Sequence, residues 1–488
     1  MQLYDKDLLS VQEVRELVEK AKAAQEELSQ KSQAEVDAIV KSIAYAGVRN
    51  AKRLAKLAHE ETGFGIEADK VIKNIFGSRD VYEHIKDMKT IGELGYDEEK
   101  KVRTIAVPVG VIAGLIPSTN PTSTAFYKSE ISIKAGNAIV FSPHPNARNC
   151  ILEAVKVIRQ AIAEAGGNEN LVSCITIPTI QATDNLMKHP DVALILATGG
   201  SAMVRAAYSS GTPAIGVGPG NGPAYIEKTA DLPLAVKRIM DSKTFDNGTI
   251  CASEQSVVCD KDMEDAVRAE MEKQGAYFLT DEQIAKLGKF ILRANGTMNP
   301  MIVGKSAQVI ADLAGIDIPA GTKVLVAKET GIGRGHPYSN EKLAPILAFY
   351  TADDYKEICR LVQDILHYEG AGHTFSMHTK DPEMVNYFAM RVPASRIIVN
   401  TPSALGGIGG TTGLMPALTL GCGAIGGSAT SENVGPMNLL NKRHVAEGLL
   451  ELDEIKAGLP TCTDGMCSGP KAEDVDIDAV VNEIVKRL

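Results

Sequence analysis

The sequence predicts an α/β protein with two doubly wound parallel-sheet domains and a β-ribbon leaving the globular body. Three observations predict it. From Pro108 onward short apolar runs alternate with helical stretches, the pattern of parallel strands covered on both faces. A second series of the same kind starts near residue 230. With 488 residues the chain is too long for one core, so two or three domains are expected.

The first 60 residues are helical in pattern. Ser10 with Glu13 reads as a capping box, and Val14, Leu17, Val18 and Ala21 follow at helical spacing. Residues 87–101 are polar and glycine-marked, and 102–107 alternate, which predicts the ribbon. Strands are then expected at 109–116, 138–141, 172–177, 192–197 and 214–217. Helices are expected over about 147–165, up to Asn185, and from Ala202. The second series places strands at 256–259, 324–327, 346–350 and 397–400, and ends in a turn-rich glycine run, 406–427.

Composition narrows the function. A net charge of −10 argues against nucleic acid as a partner. No apolar run approaches the roughly 18 residues needed to cross a membrane, and the N-terminus is charged from Asp5 with no signal core. Eight cysteines without a leader point to reduced thiols in a cytoplasmic compartment. Cys462 and Cys467 are the one close pair, and two sulfurs without a nearby His make a poor zinc site, so no metal is expected.

The most informative run is FDNGTICASEQS, which sets Cys251 just after an Asn-Gly turn. That turn favours positive φ, so Cys251 is expected on a sharp loop with its thiol presented outward. Backbone N–H donors around it are expected to lower its pKa and make it a nucleophile. Thr198, Gly199, Gly200 and Ser201 follow a strand and open a helix, which suits either a structural turn or a pyrophosphate cradle. A second glycine cluster, Gly216 to Gly222 with Gly218 inside it, would line the same crevice. Asn120 closes another strand and reads equally as a turn residue or as an amide donor aimed at an oxyanion.

In their order and spacing these motifs resemble the aldehyde dehydrogenase superfamily over most of residues 1–450. The resemblance implies Cys251 as the nucleophile and Asn120 as the oxyanion-hole amide. It makes Thr198, Gly199, Gly200 and Ser201 the cofactor-phosphate turn and Glu341 the holder of the nicotinamide ribose. IPSTNPTSTAFYKS, FSPHP, LILATGG and SENVGP look like the aldehyde dehydrogenase half of bifunctional aldehyde–alcohol dehydrogenases, and related stand-alone enzymes acylate coenzyme A. Hydrolytic members carry a glutamate base where this chain has Val217, a loss of about 10²–10⁴ in rate for water attack. A thiol acceptor needs less such help. Hydrolytic relatives also place Lys and Glu where Ser142 and Pro145 stand, so NAD rather than NADP rests on resemblance. His144 there is read either as a phosphate contact or as a solvated loop residue, and His373, in Gly370 to Thr374, is left without a role.

The resemblance therefore implies a coenzyme A-acylating aldehyde dehydrogenase that uses NAD and a cysteine thioester. Acetaldehyde is the default substrate; propionaldehyde, butyraldehyde and sulfoacetaldehyde are alternatives, as are a hydrolytic enzyme and a non-catalytic assembly subunit. The expected organisation is a cofactor domain (1–90 and 109–228), a catalytic domain (229–430), and elements at 91–108 and 431–459 that form a homodimer or homotetramer. A linker at 460–473 leads to a helix at 474–488, whose Ile477, Val480, Val481, Ile484, Val485 and Leu488 form one apolar stripe. That tail looks like those that dock cargo enzymes onto shell proteins of bacterial microcompartments, so the compartment is expected to be the cytoplasm or such a shell.

Overall fold

The computed structural model describes residues 5–457, so the expected linker, the Cys462 and Cys467 pair and the apolar stripe at 474–488 lie outside the described residues. The chain divides into two compact units. One runs to Gly92 and again from Ala106 to Asn441; the other comprises Glu93–Ile105 and the described residues from Lys442.

The first helix, Lys6–Leu28, starts ahead of the expected capping box because Asp5 caps it, accepting from the Asp7 and Leu8 N–H groups at 2.9 and 3.0 Å. Ser10 therefore lies inside the helix, and Glu13 instead accepts from the Thr176 N–H at 2.9 Å. Val14, Val18 and Ala21 are buried on the expected face. The reciprocal capping box belongs to the second helix, Gln33–Thr62, through Ser32 and Glu35.

The strands in chain order are β1 (Gly92–Asp97), β2 (Val102–Pro108), β3 (Val111–Ile116), β4 (Ala138–Pro143), β5 (Val172–Cys174), β6 (Val192–Thr198), β7 (Ala214–Val217), β8 (Gly222–Ile226), β9 (Glu254–Asp260), β10 (Ala276–Phe278), β11 (Val324–Lys328), β12 (Ile346–Ala352), β13 (Gly372–His378), β14 (Ala394–Val399) and β15 (Leu440–Ala446). The larger unit holds two parallel sheets. The first has the order β5-β4-β3-β6-β7. The strand order reverses between β3 and β6, so their carboxyl ends flank the kind of crevice in which open α/β sheets bind ligands. The second sheet has the order β10-β11-β12-β9-β8-β13-β14. The chain passes from the first sheet to the second between Val217 and Gly222, ahead of the expected boundary at 228.

Three strands and several helices, Glu67–Ile75 and Pro121–Lys134 among them, escape the sequence reading. β8 carries Gly and Pro, β10 is three residues long, and β13 reads GHTFSMH, polar in composition yet buried at every position. The helix Pro121–Lys134 is likewise polar in sequence and wholly buried. Its Lys128 explains part of this: Nζ donates to the Leu115 and Leu196 carbonyls at 2.7 and 2.8 Å, bridging β3 and β6 beside the crevice. Burial pushes that amine well below the ordinary lysine range.

The smaller unit carries the ribbon, with sheet order β1-β2-β15. Thr104 Oγ1 and His444 Nδ1 share a hydrogen bond of 3.2 Å, and the Arg103 guanidinium lies 5.9 Å from the Tyr96 ring. β15 is exposed along most of its length.

Candidate active site

After the helix Leu232–Thr244 and Phe245 come three consecutive residues of left-handed backbone, Asp246 (φ 47°), Asn247 (φ 52°) and Gly248 (φ 72°). Such backbone costs a non-glycine residue about 1–2 kcal/mol, so tertiary contacts must hold it. Asn247 Nδ2 donates to the Gly304 carbonyl at 2.9 Å, and the buried Asp246 carboxylate accepts from the Ile66 N–H at 2.7 Å and from Lys70 Nζ at 3.1 Å. A Cβ on Gly248 would meet the Ala344 carbonyl oxygen at 3.1 Å. The turn delivers Cys251, half-buried, ahead of the amino end of β9.

The thiol differs from expectation in one respect. Burial, then the Glu341 carboxylate and Cys422, push Cys251 up to about 12, with Arg396 opposing them. The Cys251 backbone N–H lowers it in the expected direction, but burial outweighs that pull.

Asn120 follows β3 and precedes Pro121–Lys134. Its Oδ1 accepts from Lys73 Nζ at 2.6 Å, and Lys73 also donates to Thr249 Oγ1 at 2.8 Å, two residues before Cys251. Lys73 thus links Asn120 to the turn that carries Cys251. The sequence reading missed Lys73, because a lysine on a short helix carries the local signature of a solvated face.

Glu341 lies ahead of β12, and its Oε1 accepts from the Gly220 N–H at 2.8 Å. Burial first and then Glu369 raise its carboxyl to about 8. Gly220 is where the site closes: a Cβ there would sit 1.9 Å from the Cys251 carbonyl oxygen and 3.1 Å from His373 Cε1. His373 opens β13 and is fully buried; its Nδ1 shares a 2.9 Å hydrogen bond with Thr374 Oγ1. Among the described residues its Nε2 has no partner. Burial, then Arg396, push its pKa well below the ordinary value, so the imidazole is neutral at pH 7. Arg396 in turn donates to the His373 carbonyl at 2.9 Å and lines a cavity of about 480 Å³ with Met88, Leu414, Met415 and Asn433.

The other expected residues gather at the first sheet. Thr198 ends β6, its hydroxyl 3.0 Å from Thr419 Oγ1. Gly199 and Gly200 lead into the helix Ser201–Tyr208, whose first turn has no side-chain cap. A Cβ on Gly200 would meet nothing within 4 Å. An open glycine pair before uncapped N–H groups fits a cofactor pyrophosphate. The Ser201 side chain lies outside what is described. A Cβ on Gly218 would meet only the Gly426 carbonyl oxygen, at 3.9 Å. Ser142 stands apart at the end of β4, sharing a 2.8 Å hydrogen bond with Thr183. His144 Nδ1 accepts from the Asn146 N–H at 3.1 Å, capping the turn Pro145–Ala147.

A cysteine turn set against a dinucleotide-type crevice, on two parallel sheets, defines the class as an α/β oxidoreductase fold. The chain belongs to the aldehyde dehydrogenase family, whose model matches residues 3–411. It is 46% identical to the bifunctional aldehyde-alcohol dehydrogenase of Escherichia coli over 443 residues, 90% of this chain and 50% of that protein. The chain thus spans about half the length of such relatives. Among solved structures it resembles a probable aldehyde dehydrogenase from Listeria monocytogenes (TM-score 0.92, 64% identity, 93% of this chain and 100% of that one). It also resembles an acetylating aldehyde dehydrogenase from Geobacillus thermoglucosidasius (TM-score 0.90, 51% identity, 92% and 99%).

Proposed function

We propose that the chain oxidises a short aldehyde, acetaldehyde by default, to its coenzyme A thioester with NAD. The observation that carries the reading is the convergence of Cys251, Glu341 and His373 on Gly220, with Val217 where hydrolytic relatives hold their base. Cys251 gives its thiol proton to solvent, and its sulfur bonds the aldehyde carbon as the C=O π pair moves onto oxygen. Asn120 and the Cys251 N–H hold the oxygen that becomes negative. Thr198, Gly199, Gly200, Ser201 and Gly218 would hold NAD, which would accept the hydride, with Ser142 toward its adenosine end. Glu341 positions the nicotinamide ribose. His373, neutral and with Nε2 unsatisfied, takes the proton from the coenzyme A thiol as its sulfur displaces the acyl group from Cys251.

Support for the acyl acceptor comes from the acetylating relative at 51% identity. The ribbon is assigned to self-assembly, and the tail at 474–488 to a shell protein; a structural neighbour, a propionaldehyde dehydrogenase, comes from a fucose utilisation microcompartment. The test is NADH formation from acetaldehyde with and without coenzyme A. Turnover should require coenzyme A and yield the thioester; free acid formed at full rate without it would sink the reading.

A further inference from the structure

The helix Glu67–Ile75 is inverted in hydropathy: it buries Lys70 and Lys73, 3% and 2% exposed, and leaves Ile72 at 51%. Removing two ammonium groups from water costs several kcal/mol each unless partners replace the solvent. The partners are all present. Lys73 Nζ donates to Asn120 Oδ1 at 2.6 Å, to Thr249 Oγ1 at 2.8 Å and to the Asp246 carboxylate. Lys70 Nζ donates to Asp246 Oδ2 at 3.1 Å and to the Thr119 carbonyl at 3.3 Å. Thr249 Oγ1 in turn donates a hydrogen bond to Asp246 Oδ2 at 2.7 Å, and Asp69 accepts from the Asp246 N–H at 2.8 Å. The space among Lys70, Lys73, Asn120 and Ser123 leaves no room for a water molecule.

An ammonium has donors only, so the Asn120 atom facing Lys73 must be the carbonyl oxygen. The amide nitrogen then points the other way. It gives one N–H to Thr119 Oγ1 at 3.2 Å, and among the described residues the second has no acceptor. Without Lys73 the amide could rotate by half a turn and present an oxygen where a donor is needed.

We propose that Lys73 is a positioning residue: it fixes the Asn120 amide with its free N–H toward the substrate oxygen, and through Thr249 and Asp246 keeps that amide in register with Cys251. The inference rests on the reading of Asn120 as the oxyanion donor. Burial opposes the ionisation of Asp246, and Lys73 and Lys70 overcome it. Burial also draws Lys73 down to about 8, with Asp246 holding it up, so the ammonium form prevails at pH 7.

Lys73→Met should lower kcat/KM for the aldehyde by about 10–100-fold while NAD affinity and the alkylation rate of Cys251 stay within about twofold. Lys73→Gln, which keeps an N–H donor, should recover most of the loss. In an Asn120→Ala background the Lys73→Met change should cost less than about threefold, because the group it positions is gone. Equal cost in both backgrounds, or unchanged kcat/KM in Lys73→Met, overturns the inference even if Asn120→Ala is itself crippled. Full activity in Asn120→Ala would instead sink the oxyanion reading, and this inference with it. Should Lys73→Met fail to fold, Lys73→Met/Asp246→Asn compared with Asp246→Asn carries the same test, since it removes the carboxylate left short of a cation.

Discussion

The Gly220 N–H donates to Glu341 Oε1 at 2.8 Å, and the absent Cβ of the same glycine admits the Cys251 carbonyl. One residue without a side chain therefore holds the carboxylate and the nucleophile loop against each other. Gly220→Ala would place a methyl 1.9 Å from a backbone oxygen, a clash no rotamer relieves. The expected outcome is loss of activity with a lowered Tm, by about 1–3 kcal/mol of stability if the loop shifts to admit it. Wild-type kinetics in that variant would show that the contact is not closed in solution.

Cys251→Ser should abolish aldehyde-dependent NADH formation while NAD affinity stays within about threefold. With its thiol near 12, alkylation of Cys251 by iodoacetamide without cofactor should be slow at pH 7 and climb about tenfold per pH unit up to pH 10. Peptide mapping identifies the modified site, and the other described cysteines are buried. A plateau below pH 8 would mean the thiol is activated by the protein alone.

His373→Gln should separate the two halves of the reaction. The first turnover of NADH is expected to persist, while coenzyme A-dependent release of the acyl group slows by about 10²–10⁴-fold. Rapid-mixing measurements read both phases. Equal slowing of the burst and of the steady state would move the histidine out of acyl transfer.

Glu341 has its carboxyl raised from 4.5 to about 8 by burial and by Glu369. The folded protein then binds more protons than the unfolded chain between those values, so this group's contribution is fully present below pH 4.5 and is lost as pH rises through 8. Relative to Glu341→Gln, the wild type should lose Tm between pH 5 and pH 8.5. Parallel Tm curves for the two proteins would refute the assignment.

Much of the fold was legible because buried parallel strands leave near-continuous apolar runs, and β3, β4, β6 and β7 are of that kind. The sequence also placed the two catalytic candidates, since an Asn-Gly turn and a strand-ending Asn are local signals. It did not show β13, whose His373 and His378 are buried by neighbours distant in sequence. Nor did it show the cost of the thiol's surroundings, because a desolvated pKa depends on packing from every side.

By itself, then, the sequence determined the two parallel sheets, the ribbon, the cysteine turn and the family resemblance, all written in short-range pattern. Only the tertiary structure decided that Lys73 faces Asn120, that Glu341 meets Gly220 and that His373 borders the nucleophile. The first two pairs lie 47 and 121 residues apart. Contacts at such separation leave no local periodicity, and a buried lysine is written in the same letters as a solvated one until the fold supplies its partners.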